Sequence, residues 1–184
     1  MAFLTYTKKA SVALPCDPGL PYEILTDYDS YNEWMPHVGK SKLLAKEGDL
    51  AIAEFDMVRP ANEKFAVECI HTKNKMVLTR KISGKIPVWQ YEWIIQAAGE
   101  KQCNVTLTIQ GKTSWHRLVP HYRNLISASK CVAALKAQIA AFSPDLAISD
   151  QGGEKIIELA ETEQGLVCWI RGKKYNLTPA PEGK

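Results

Sequence analysis

The chain has 184 residues, 46% of them hydrophobic, and a formal net charge of +3; this is enough to bury a real core in one domain and excludes a disordered or fibrous chain. No apolar run approaches the ~18 residues that a membrane span needs, and Met1-Ala2-Phe3-Leu4-Thr5-Tyr6 has no basic start followed by an apolar stretch, so a cytoplasmic protein is expected. Five cysteines, Cys16, Cys69, Cys103, Cys131 and Cys168, are scattered without a C-x-x-C pair and read as reduced core residues, not as a disulfide framework.

The first predicted element is a strand over residues 3 to 13, where Thr5, Tyr6, Thr7 and Val12 alternate loosely before the Pro15, Pro18 and Pro21 punctuation. Pro21 suits the first turn of a short helix reaching Thr26 or Asp27, because its missing N–H has no partner to lose there. Ser30 with Glu33 three residues later predicts a capped second short helix, which Pro36 stops.

Six further strands are expected: His37 to Lys46, Leu50 to Val58, Lys64 to His71, Met76 to Ile82, Pro87 to Ala97 and Cys103 to Gln110. The turns between them are too short for parallel crossovers, so the pairing is an antiparallel meander. Strand parity assigns one greasy face to Ala53, Phe55 and Met57; to Phe65, Val67 and Cys69; to Met76, Leu78 and Arg80; to Trp89, Tyr91, Trp93 and Ile95; and to Cys103, Val105, Leu107 and Ile109.

From Val119 to Phe142 the period turns helical, with Tyr122, Leu125, Ile126, Ser129, Val132, Leu135, Ile139 and Phe142 recurring at three and four residues. A helix of that length reaches about 34 Å, enough to cross a sheet. A sheet with one greasy face and a helix with one apolar stripe cover each other. The expected domain is residues 1–144. Residues 145–184 read as a linker followed by a short β-meander: Lys155 to Glu161, Leu166 to Arg171 and Lys173 to Leu177.

The order of strand, short helices, six strands and long helix, together with Asp27-Tyr28-x-x-Tyr31-x-x-Trp34-x-Pro36, resembles the START-like (SRPBCC) superfamily of polyketide cyclase/dehydrase and coenzyme Q-binding type. The resemblance spans residues 3 to 142. It implies an α+β helix-grip fold, a curved antiparallel sheet of about seven strands around a long C-terminal helix. It also implies a cavity between sheet and helix that holds a lipid, quinone, sterol or polyketide, with cyclisation or dehydration in some members.

The candidate ligand-binding residues are Trp34, Met35, Phe55, Met57, Phe65, Val67, Met76, Leu78, Arg80, Trp89, Tyr91, Trp93, Tyr122 and Leu125. Trp89, Tyr91 and Trp93 offer apolar area with polar handles, either lining a pocket or filling the core. Trp34 and Met35 sit where the short helices would roof the opening. Arg80 on the inner face would need a carboxylate or a ligand oxygen; one step of register puts it in solvent, and a solvent or rim position is the preferred reading.

The histidines lack ligand spacing: His116 and His121 are five apart, and His37 and His71 lie on separate strands. No metal and no cofactor is expected, and no catalytic residue is assigned. Glu54 and Asp56 share a strand face that reads as solvated. Lys73, Lys75, Arg80, Lys81 and Lys85 form a basic hairpin. The charge is uneven, since residues 1 to 144 hold 18 Lys+Arg against 13 Asp+Glu and the tail holds 5 against 7; this permits transient contact with a membrane surface, while no DNA partner is expected.

The leading expectation is a non-enzymatic binder or carrier of a hydrophobic small molecule. The alternative is a polyketide cyclase or dehydratase polarising a carbonyl with Tyr91, Arg80 and Tyr122. A third reading is a module that contacts a macromolecule through the basic hairpin or the tail.

Overall fold

The computed structural model describes residues 3–58, 62–114, 127–142, 157–162, 165–170 and 173–177. Strand β1 (Phe3–Leu14) is followed by helix α1 (Gly19–Thr26), a single 3-10 turn (Tyr28–Ser30) and the one-turn helix α2 (Tyr31–Trp34). Strands β2 (Val38–Glu47), β3 (Leu50–Met57), β4 (Lys64–Thr72), β5 (Met76–Ser83), β6 (Val88–Gly99) and β7 (Gln102–Ser114) then run to helix α3 (Ala128–Phe142).

The sheet order is β1-β7-β6-β5-β4-β3-β2, with every pairing antiparallel. The meander thus returns the last strand to the first, which leaves β1 and β2 as the edges. Together with α3 this is the helix-grip α+β fold expected from the element order. A second, three-stranded sheet of order β10-β9-β8 follows, made of β8 (Ile157–Thr162), β9 (Gly165–Ile170) and β10 (Lys173–Leu177). The expected boundary at residue 144, the linker and Lys155 lie outside the described residues.

Local chemistry explains most of the boundaries. Helix α1 opens two residues before Pro21, where the Gly19 N–H donates to the Asp17 carboxylate at 2.8 Å and the Leu20 N–H to the Asp17 carbonyl. Ser30 does precede α2, but it makes no capping bond: its hydroxyl donates to Asp27 Oδ2 at 2.7 Å instead. Gly48 (φ 55°) and Asn74 (φ 56°) supply the left-handed backbone of the β2–β3 and β4–β5 turns.

The register corrects two facing assignments. Thr79 pairs with Tyr91 and Val77 with Trp93, so Val77 and Thr79 share the inner face of β5. Met76, Leu78 and Arg80 therefore point outward: Arg80 is exposed, and Leu78 is buried apart from the main core. A bulge between Val88 and Gln90 likewise turns Trp89 outward, where its indole N–H donates to Gln110 Oε1. Parity alone does not fix the facing of β5, because Met76 and Leu78 on one side and Val77 on the other are all apolar.

Helix α3 begins nine residues after the expected Val119, and residues 115–126, with Tyr122 and Leu125, lie outside the described ones. It packs on β1 and β7 through Ala128, Cys131, Val132, Leu135 and Ile139, a stripe at three- and four-residue spacing. Phe142, expected on that stripe, is 64% exposed. No described helix is long and apolar enough to cross a membrane.

Candidate functional site

The inner face of β3 to β6 carries large aromatic side chains. Phe55 pairs with Phe65 across β3 and β4, their rings 5.4 Å apart, and Tyr91 and Trp93 continue the face onto β6. Above them the 3-10 turn and α2 lower Tyr28 and Tyr31 onto Phe55, at ring distances of 6.5 and 5.3 Å. Trp34 lies against Tyr31 at 4.9 Å.

Between these layers lies a cavity lined by Tyr31, Met35, Pro36, Val38, Phe55, Met57, Phe65, Thr79, Tyr91, Trp93 and Cys131. Its volume is about 40 Å³, far below the ~300 Å³ or more of an ordinary ligand pocket. Met35, Phe55, Met57, Phe65, Tyr91 and Trp93 among the expected site residues meet there. Val67 is buried in the core beside it, and Trp34 faces an outer groove with Gln138 and Phe142. Met76, Leu78, Arg80 and Trp89 are on the other side of the sheet.

Sequence reasoning missed Tyr31, Pro36, Val38, Thr79 and Cys131 as lining residues. Thr79 was lost with the phase of β5. Cys131 stands four residues before Leu135 and eight before Ile139, so its helical spacing was a usable signal.

The described lining residues carry no formal charge. Burial pushes the Tyr31 and Tyr91 phenols well above the usual tyrosine range, and it pushes the Cys131 thiol up to about 12. All three stay protonated at neutral pH, so Cys131 has no thiolate to act as a nucleophile. The Tyr31 hydroxyl is already committed, donating to the Leu25 carbonyl at 2.8 Å. Among the described lining residues there is no carboxylate and no histidine, and no metal-binding cluster occurs among the described residues.

A polar pair lies just behind the lining. The Tyr28 hydroxyl and His71 Nε2 are 2.7 Å apart in a buried hydrogen bond, and the rings stack at 5.8 Å. Desolvation lowers the His71 pKa, and the charge of Lys46 lowers it further. The pair ties the 3-10 turn to β4 and so fixes the roof over the sheet. Cys16, Cys69, Cys103 and Cys131 are buried free thiols, while Glu54 on the outer face pairs with Lys64 at 2.7 Å.

A curved sheet gripping a helix over a small apolar hollow defines a START-like protein, and the comparisons agree. The chain belongs to the polyketide cyclase / dehydrase and lipid transport family, matched over residues 15–123. Its fold is similar to that of a START superfamily protein from Mycobacterium smegmatis (TM-score 0.58, 14% identity, 77% of this chain and 99% of that one). It is also similar to the Zhui aromatase/cyclase of Streptomyces sp. R1128 (0.55, 13%, 77% and 88%). A third similar structure is norcoclaurine synthase of Thalictrum flavum in complex with dopamine and hydroxybenzaldehyde (0.56, 11%, 76% and 88%). Among curated proteins, none matches the sequence significantly.

Proposed function

We propose that this protein is a cytoplasmic carrier of a hydrophobic small molecule of the lipid, quinone or polyketide type, which it holds between β3–β6 and the short helices. The observation that carries this reading is the uncharged lining among the described residues: apolar and aromatic surface, with hydroxyls from Thr79 and Tyr91 as the orienting groups. Burying apolar ligand surface stabilises the complex by roughly 25 cal/mol per Å². A charged lining would oppose it.

A hollow of about 40 Å³ must widen to take such a guest. The roof is the element suited to move, since α2 is one turn long and Met35 has three rotatable bonds. The sheet side is fixed by its ladders.

The cyclase or dehydratase reading is weaker on the same ground. Of its three proposed groups Arg80 is outside and Tyr91 is a neutral phenol at this site, so no acid–base pair faces a substrate among the described residues.

Native mass spectrometry of the gently purified protein tests the proposal. A stoichiometric apolar ligand that is lost on delipidation and rebinds with a change in Trp93 fluorescence is the expected result. Protein that carries no adduct and takes up no apolar ligand on titration would overturn it.

A further inference from the structure

The inner face of β5 ends in a charge. Val77, Thr79 and Lys81 alternate onto that face, and Lys81 pairs with Val67 across β4 before a bulge turns the strand end away. Thr79, two residues back, and Phe65, two residues along β4 from Val67, both line the cavity. The Lys81 stem thus stands about 7 Å further along the same surface, at two residues of ~3.3 Å rise.

The loop that follows β5 closes over this end. Gly84 has φ +97° and lies so tightly on Phe65 that a Cβ there would run into the Phe65 side chain. The loop carries Ile86, whose carbonyl accepts a hydrogen bond from Lys81 Nζ at 2.6 Å, and Pro87, whose carbonyl accepts one from the Tyr6 hydroxyl at 3.0 Å. Lys81 is half-buried and, among the described residues, no carboxylate pairs with it. One of its three N–H donors is used, and two remain. A partly desolvated ammonium without a counter-ion is costly, and burial accordingly pushes it below the ordinary lysine range.

We infer that Lys81 receives the carboxylate of an amphiphilic ligand whose apolar body lies in the cavity. This deepens the carrier reading and rests on it. A singly charged head matches the single ammonium that β5 presents, and a charge-assisted bond there gains from the low-dielectric surroundings. Arg80, on the opposite face of β5, points to solvent.

Octanoate and octan-1-ol, which share a chain length and differ in the head, separate this inference from its foundation. Titrated into the full chain at pH 7 by calorimetry, octanoate should bind on the order of tenfold tighter than octan-1-ol. Lys81→Met should weaken octanoate on the order of tenfold, and Lys81→Arg, which keeps the charge, should retain the preference. Equal affinity of the wild-type protein for the two ligands would overturn the inference while leaving an apolar carrier standing. Tighter binding of octyl phosphate than of octanoate would also overturn it, by assigning the head group to a phosphate. Failure to bind either eight-carbon ligand would remove the carrier reading and the inference together.

Discussion

One face of one sheet does two jobs. Beneath α3, strands β1 and β7 present Ala10, Val12, Val105, Leu107 and Ile109, small or branched side chains buried together with Leu135 and Ile139. Beneath the short helices, β3 to β6 present Phe55, Phe65, Tyr91 and Trp93, and there the packing leaves a hollow. The difference teaches that the long helix secures the fold, while the short helices, with Cys131 of α3, enclose the site.

The largest test of that division is Leu135→Ala. Leu135 has no exposed surface, so the substitution should cost about 3 kcal/mol in denaturant unfolding through lost burial and the cavity it leaves. Ligand affinity should hardly change. A loss well under 1 kcal/mol would mean that α3 is not the clamp.

Over-packing sharpens the contrast. Ala10→Leu adds volume where the half beneath α3 is full and should destabilise by about 1–3 kcal/mol. Cys131→Leu adds volume at the rim of the hollow and should cost less than about 1 kcal/mol while abolishing uptake of an apolar ligand. Equal costs for the two variants would show that the hollow is not usable space. Met35→Ala should be milder still in stability, roughly 1 kcal/mol or less for a half-buried side chain, yet it should speed ligand association in stopped-flow fluorescence. An unchanged association rate would take Met35 out of the gate.

The half beneath α3 was the more legible in sequence, for a physical reason. A strand pattern such as Cys103, Val105, Leu107 and Ile109 alternates without interruption, and Val132, Leu135 and Ile139 repeat at helical spacing, so each element announces its buried side. The site half is written in exceptions. A bulge at Trp89 breaks the alternation just where two more aromatic residues follow it, and parity counting carries no memory of a bulge. On β5 both faces hold apolar residues at the start, Met76 and Leu78 against Val77, so the pattern gives no sign of which is inside. Register across the strand pairs decides it, and register is a tertiary property. The same ambiguity left the facing of Arg80 open and hid Lys81.

The smallest effect belongs to the tether between the two layers of the site, and its sign follows from burial. His71 is buried, and desolvation, with a smaller contribution from Lys46, holds its pKa below the ordinary value of 6.5. The unfolded chain therefore binds a proton more readily than the folded one, and stability rises with pH in that window. The contribution is fully present above about pH 6.5 and is lost as pH falls through the folded-state pKa. A protonated ring can only donate through Nε2 to the Tyr28 oxygen, and it brings a charge into a desolvated site, so acid should loosen the 3-10 turn over the hollow before it unfolds the sheet. Denaturant midpoints between pH 8 and 5 measure the slope, and hydrogen exchange over residues 28–34 reports the roof. Tyr28→Phe should raise that exchange at every pH and leave the slope from His71 desolvation largely in place. Leu135→Ala, which touches no titrating contact, should keep the wild-type slope while lowering the whole curve. A wild-type curve that stays flat from pH 8 to 5 would mean that His71 binds its proton as easily folded as unfolded, and the tether would then be mere packing.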